Sequence, residues 1–321
     1  MTVSHIGHVE LRVPDVAAST RFLTEFVGLR VTSQDDDVAY LRAWQDFDHH
    51  TLKLVRSDTA ELGHIGWRAA TRDDVLAIEA KVKSLGLESV WVDGSDEAGH
   101  GDALRLRSPS GIPLEVYSEV TAFEAPADLR SRFPSHPITL SMGGASTRRL
   151  DHVGINVDEP ADEQAFFSDV LGVHHRYFGT GPQEERVFSW LSRTSVSHEI
   201  SMVRNRAEKG PKFHHLAYFI ESVEDLLRLA TTLIDNGYEL DWGPGRHGTS
   251  GATALYFKEP GGHRIEIWTG GLLIFAPDWE PFEWKGEILY AVADIWGNCD
   301  VNDKFALGTP VAAELAPLAR S

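Results

Sequence analysis

Hydrophobic and polar positions alternate in four short stretches of this chain: HVELRV from His8, HIGWRA from His64, HVGINV from His152 and HLAYFI from His215. A period of two predicts a strand with one face toward a core. Each stretch is followed by helical spacing, as in VAASTRFLTEFVG and VEDLLRLATTLIDNG, and then by further short strands. Gly28, Gly86, Gly172 and Gly237 stand where each helix should stop, the usual place of a C-terminal glycine cap. The pattern reads βαβββ four times, near residues 4–58, 61–118, 149–205 and 212–269.

The four units are related in pairs. A shift of 151 lays His64 on His215, Asp74 on Asp225, Gly86 on Gly237, Trp91 on Trp242 and Glu115 on Glu266 without a gap. A shift of 144 lays His8 on His152, Phe22 on Phe166 and Gly28 on Gly172, and one of 148 lays His50 on His198. A repeat of this kind is the signature of duplication. The expected class is α+β, with an N-terminal domain over 1–120 and a second domain over 149–270. Residues 121–148, with Pro126, Pro134 and Pro137, read as a linker, and 271–321 as a tail folded back over the second domain, its last dozen residues loose.

Composition narrows the functional classes. A hydrophobic content of 42% with 24% charged residues is that of a globular chain, and no run of 18 apolar residues suggests a membrane span. The 30 basic and 48 acidic residues give a net charge of −18, which argues against a nucleic-acid or anionic-membrane partner. The single cysteine, Cys299, excludes an intrachain disulfide framework and, with no signal-like N-terminus, points to a cytoplasmic setting; with no local base apparent it reads as a bystander.

Three residues carry the candidate chemistry. His152 in RLDHVGINV and His215 in KFHHLAYF open strands of the same grammar, and Glu266 in GGHRIEIW is flanked by Ile265 and Ile267. Two neutral imidazoles and one carboxylate are the facial set of mononuclear non-heme Fe(II) oxygenases, with one face of the metal left open. His215 is preferred to His214 because it matches His152 across the repeat, and adjacent strand residues face opposite ways, so His214 should point off the site. Small Gly154 and Ala217 beside the histidines leave room for a metal and a flat ligand. The N-terminal half also carries His8, His64 and Glu115, the same ligand types at equivalent positions. His49 and His50 duplicate the strand of His198.

With these motifs in view, the chain resembles the type I extradiol ring-cleavage dioxygenases of the vicinal oxygen chelate superfamily. The resemblance runs from HVELRV to DWEPFEW and is most specific in GPGRHG, LYF and GHRIEIW following KFHHLAYF. It implies two tandem vicinal-oxygen-chelate domains, the second one catalytic, and Fe(II) or, in a minority of members, Mn(II) held by His152, His215 and Glu266. It further implies His198, His247 and Tyr256 as catalytic neighbours, with Trp190, Trp242 and Gly154 against the substrate. In the N-terminal half Asp96 replaces His247 and Arg105 replaces Tyr256, so that set reads as a non-catalytic relic. The implied reactants are a catechol and O2, the product a 2-hydroxymuconic semialdehyde type of acid, and the assembly a homo-oligomer, a tetramer by resemblance.

Departures from the family bear on the substrate. Relatives that cleave the carboxylate-bearing homoprotocatechuate place an arginine where this chain has Trp242, and a basic pair where it has Val292 and Ala293. The pocket should therefore favour an apolar catechol: 2,3-dihydroxybiphenyl, an alkylcatechol or catechol itself. Gly154 replaces an asparagine of those relatives, which weakens transfer of their substrate contacts. Two alternatives stand beside this reading, a glyoxalase-like isomerase or transferase using the same ligands, and a metal-free binding protein. Neither needs His198, His247 and Tyr256 together.

Overall fold

The structure is a computed structural model that describes residues 2–140, 144–206, 208–297, 299 and 301–315. The first unit comprises β1 (Val3–Val13), α1 (Val16–Phe22), β2 (Arg30–Gln34), β3 (Val38–Arg42) and β4 (Leu52–Arg56). The second comprises β5 (Glu61–Ala69), α2 (Arg72–Ser84), β6 (Ser89–Val92), β7 (Ala103–Arg107) and β8 (Pro113–Tyr117). The third runs through β9 (Arg149–Val157), α3 (Pro160–Asp169), β10 (His174–Thr180), β11 (Arg186–Ser192) and β12 (Ile200–Arg204). The fourth runs through β13 (Lys212–Phe219), α4 (Val223–Asp235), β14 (Leu240–Arg246), β15 (Thr253–Lys258) and β16 (Arg264–Thr269). The βαβββ grammar is thus present four times, and the class is α+β.

Local chemistry explains the helix ends. The Thr71 hydroxyl accepts from Asp74 N at the start of α2, and Ser222 accepts from Glu224 N and Asp225 N at the start of α4. Gly28, Gly86, Gly172 and Gly237 have φ of 84°, 69°, 75° and 83°, the left-handed conformation that a side chain disfavours. The stretch after α1 widens instead of continuing as α-helix: residues 23–27 form a π turn in which Gly28 N donates to Leu23 O. On α4 the residues at i, i+3, i+4 and i+7, Leu226, Leu229, Ala230 and Leu233, are buried, each leucine contributing roughly 1.5–3 kcal/mol by leaving water.

Units one and two share a sheet in the order β2-β3-β4-β1-β5-β8-β7-β6, and units three and four a second sheet in the order β14-β15-β16-β13-β9-β12-β11-β10. In each sheet the opening strands of two units pair antiparallel at the centre, β1 with β5 and β9 with β13. His8, His64, His152 and His215 therefore lie on the central strands of their sheets. The halves share one core, Phe22 packing against Phe257 and Trp67 against Phe167.

The tail lies across both halves. β17 (Phe282–Lys285) adds to β10, α5 (Asp303–Ala306) brings Phe305 against His214, and β18 (Thr309–Pro310) pairs with β13. Beyond β18 the chain reaches the N-terminal half, where Ala312 N donates to Leu62 O and Arg105 Nη1 donates to Leu315 O. Residues 310–315, expected loose, are in part buried, Ala312 fully; the rest of the last dozen lies outside the described residues. Among the described residues no helix is long and apolar enough to cross a membrane.

Candidate metal centre

Three neighbouring strands, β16, β13 and β9, carry Glu266, His215 and His152. Ala217 is paired with both His152 and Glu266, and its methyl leaves the space into which they lean. His152 Nε2 lies 2.9 Å and His215 Nε2 3.2 Å from Glu266 Oε2, with the three side chains at most 8% exposed. Gly154 faces His215, and a Cβ there would stand 2.1 Å from Cε1 of the ring. The room left by this glycine is filled first by the imidazole.

Hydrogen bonds fix how each imidazole is protonated. His152 Nδ1 donates to Asp151 Oδ1 at 3.0 Å, and Arg149 holds that carboxylate at 2.7 Å. His214 Nε2 donates to the carbonyl of Phe305 at 2.8 Å, so its Nδ1 is the acceptor for His215 Nδ1–H at 2.7 Å. His215 Nε2 is thereby left as a lone pair aimed at a carboxylate oxygen, and so is His152 Nε2 once it gives up the proton it holds toward Glu266 Oε2. His215 Nε2 and Glu266 Oε1, both buried, meet no hydrogen-bond criterion with any described residue. Lone pairs converging out of reach of water are costly unless a cation lies between them, so the donor set fits a divalent metal ion.

His214 does not follow the expected alternation. The register of β13 against β9 shifts between Phe213 and His215, a bulge that brings both imidazoles to one side, ring centroids 5.0 Å apart. The result is a relay behind the site, Phe305 carbonyl to His214 to His215, of the kind that sets the tautomer of a metal-bound histidine. Burial disfavours charge on His152, but Glu266 and Asp151 outweigh it and carry its pKa up to about 9. At His215 burial dominates and lowers the pKa to about 4. The Glu266 carboxyl, despite burial, is held well below its usual range by His152, His215 and His247.

Around this set stand the other expected residues. His247 Nδ1 donates to Ala293 O at 2.6 Å, which makes its Nε2 the acceptor for the Tyr256 hydroxyl at 2.9 Å. That Nε2 is also 3.5 Å from Glu266 Oε1. Burial and Glu266 push the Tyr256 phenol well above its ordinary value, so it remains a proton donor. His198 stacks between Trp190 and His152, each ring centroid 4.0 Å away, with Nδ1 3.0 Å from Ser197 Oγ. Burial, and then His152, keep His198 neutral.

A cavity of about 540 Å³ opens on the set, lined by Gly154, Trp190, His215, His247 and Tyr256 and, farther out, by apolar side chains including Val187, Phe188, Leu289 and Val292. Trp242 is not on that wall: it stacks behind His247, 4.9 Å away and 13° from parallel, and positions that ring. Cys299 lines the cavity, its Sγ 3.7 Å from Pro244 O.

The model of the Glyoxalase/Bleomycin resistance protein/Dioxygenase superfamily matches twice, over residues 5–116 and 149–267. The chain belongs to this superfamily. It is 36% identical over 285 residues, 88% of this chain and 90% of the other, to a manganese-dependent 2,3-dihydroxybiphenyl 1,2-dioxygenase of Geobacillus genomosp. 3. It is 34% identical over 317 residues, 97% and 95% of the two chains, to a metapyrocatechase of Geobacillus stearothermophilus. Among solved structures, homoprotocatechuate 2,3-dioxygenase of Brevibacterium fuscum with 3,4-dihydroxyphenylacetate superposes with a TM-score of 0.85 at 28% identity, covering 97% of this chain and 93% of that one. Within the superfamily the chain stands among the extradiol dioxygenases.

Several residues around this candidate site are not among those read from sequence. Asp151, His214 and Phe305 position the two histidines, and Trp268 walls off His152 at 4.8 Å. The doublet HisHis was the visible signal for His214. Phe305 had none, because its contact spans 91 residues.

Proposed function

We propose that this chain cleaves the ring of an apolar catechol next to its diol, taking up both atoms of O2, at a mononuclear Fe(II) or Mn(II) held by His152, His215 and Glu266. The observation that carries the reading is the convergence of three buried lone-pair donors at the base of a largely apolar cavity, with the Tyr256–His247 pair beside them. The metal, when bound, serves as a template that holds diol and dioxygen together and spreads charge between them.

The protein's own groups divide the remaining work. His247, with its Nδ1 proton committed to Ala293 O, presents a lone pair and can take a proton from a substrate hydroxyl. Tyr256 keeps its proton and donates, first to His247 and then to an oxygen of the bound diol. His198, neutral and held flat by Trp190, is the group that can carry a proton to and from the reacting oxygen atoms. Trp190 and the aliphatic wall exclude water and receive the ring's apolar substituent.

Val292 and Ala293 line the cavity where the relatives that cleave a carboxylate-bearing catechol carry a basic pair, and of the two arginines on its wall, Arg204 and Arg206, Arg204 is taken by Glu159; with the apolar wall this supports 2,3-dihydroxybiphenyl, an alkylcatechol or catechol over a carboxylated substrate. In this reading 1–120 is a non-catalytic domain, 121–148 a linker, 149–270 the catalytic domain and 271–321 a tail packed on it. The chain would act in the cytoplasm as a homo-oligomer, a tetramer by resemblance, which light scattering would test.

The deciding experiment adds catechol, 3-methylcatechol and 2,3-dihydroxybiphenyl anaerobically to Fe(II)-loaded and Mn(II)-loaded protein, then admits air. A yellow ring-fission product in the wild type and none in His215→Ala is expected. No product from any catechol, with metal bound, would refute the reading.

A further inference from the structure

The N-terminal half contains a second convergence of imidazoles and carboxylates, which ring cleavage does not use. We propose that His8, His64, Glu97 and Glu115 bind a divalent transition-metal ion as a closed structural site, with Zn(II) the best match.

The donors are in place. His8 Nε2 is 2.8 Å from His64 Nε2, 3.1 Å from Glu97 Oε1 and 3.6 Å from Glu115 Oε1, and His64 Nε2 is 3.7 Å from the nearest oxygen of each carboxylate. Donors bound to one ion at about 2.0–2.2 Å stand roughly 2.8–3.6 Å apart at octahedral to tetrahedral angles, against 2.8–3.7 Å here, so small side-chain shifts would close the set. The four side chains come from β1, β5, β8 and the turn before β7, and none is more than 4% exposed.

The surrounding cations orient the carboxylates rather than occupy the centre. Lys53 Nζ takes Glu97 Oε2 at 3.0 Å and Glu10 Oε2 at 2.9 Å, which turns Glu97 Oε1 toward His8 at 3.1 Å and His50 at 2.8 Å, so His50 is the group an ion would displace from that oxygen. Arg105 Nε takes Glu115 Oε2 at 2.8 Å and leaves Oε1 buried with no hydrogen bond, facing His8 at 3.6 Å. His100, its side chain 1% exposed, has no hydrogen-bond partner on either ring nitrogen. Glu10, Glu97 and Glu115 thus face two full neighbours, Lys53 and Arg105. Arg12 approaches Glu10 only at 3.7 Å while holding Glu61 and Glu314 on its other side. Carboxylates outnumber the full cations that hold them in this dry interior, and a divalent ion between His8 and His64 would offset the excess.

Four buried protein donors define a closed site, whereas a catalytic site keeps an open position. His64 Nδ1 points at Glu10 Oε2 from 3.7 Å and His8 Nδ1 at the Tyr117 hydroxyl from 3.4 Å, the outer partners that a metal-bound imidazole uses.

Metal content tests this independently of turnover. Chelator-stripped wild-type chain reloaded with Zn(II) and desalted should carry two ions per chain by mass spectrometry of the elements. His215→Ala and Glu115→Gln should each carry one, whatever becomes of ring cleavage. A single ion in the wild type that disappears in His215→Ala overturns the proposal. Whether or not Glu115→Gln folds, wild-type crystals grown with Mn(II) give a second reading. Anomalous density between His8 and His64, in addition to that at His215, is expected; density at the C-terminal set alone sinks the idea.

Discussion

His152, His215 and Glu266 hold the same positions in their sheet as His8, His64 and Glu115 in theirs, and both sets are buried, yet what surrounds them differs. Each cluster even seats one imidazole over a glycine on the neighbouring strand, His215 over Gly154 and His8 over Gly66. In the C-terminal half a single carboxylate meets a cavity, and the neighbouring groups, Tyr256 and His247, can exchange protons with a ligand. In the N-terminal half Glu97 closes the fourth side, while Arg105 stands where Tyr256 would be and Lys53 pins Glu10 and Glu97. Duplication preserves donor positions because the central antiparallel strands set them. Whether a substrate can approach is decided by residues outside that register.

The sharpest test of the division is to remove one histidine from each half. His215→Ala should lower kcat/KM for a catechol by more than about 10³-fold, since a metal contributes several kcal/mol to the transition state and each 1.4 kcal/mol is tenfold. His64→Ala should leave turnover within about threefold in steady-state assays of folded protein. Equal losses from both would mean that the halves share the chemistry. Next in size, Lys53→Met strands Glu10 and Glu97 in a dry interior and should cost about 3–5 kcal/mol in urea unfolding, with little change in KM. A loss below about 1 kcal/mol would show that the N-terminal network does not depend on this cation. Tyr256→Phe should reduce kcat by about 10²-fold with metal content intact, as expected for loss of one proton-donating group. If KM alone rises, Tyr256 binds the substrate without serving the reaction.

How far the sequence could be read follows from the range of each signal. Strand alternation and helix-ending glycines are local, and they placed four βαβββ units and put His152, His215 and Glu266 on adjacent strands. The same alternation misplaced His214, because a bulge adds one residue to β13 and a period of two cannot register it. The ungapped offset drew attention to Asp96, but the residue that enters the N-terminal cluster is its neighbour Glu97, where loop geometry and not strand register fixes direction. Trp242 was expected against the substrate from a departure in the motif; stacking on His247 draws it behind the wall. The tail's part was least visible, since Phe305 meets His214 and Leu315 meets Arg105 only through tertiary folding.

That tail contact gives the smallest and most specific prediction. His214 links the Phe305 carbonyl to His215 through bonds of 2.8 and 2.7 Å, and among the described residues no other accepts the Nδ1 proton of His215. His214→Phe keeps a ring of similar volume but removes the acceptor, so His215 can turn or carry its proton on the nitrogen that faces Glu266. Such outer partners are typically worth 10–100-fold in metal affinity. Titration of the apo protein with Mn(II) should show a loss of that order, and saturating metal should restore most of the turnover, which distinguishes positioning from catalysis. The equivalent position in the other half is Gly63, which has no side chain and closely approaches Glu10. The N-terminal cluster therefore has no such relay, and metal affinity there should not respond to His214 at all. A fall in turnover that excess metal does not restore would place His214 among the groups that act on the substrate.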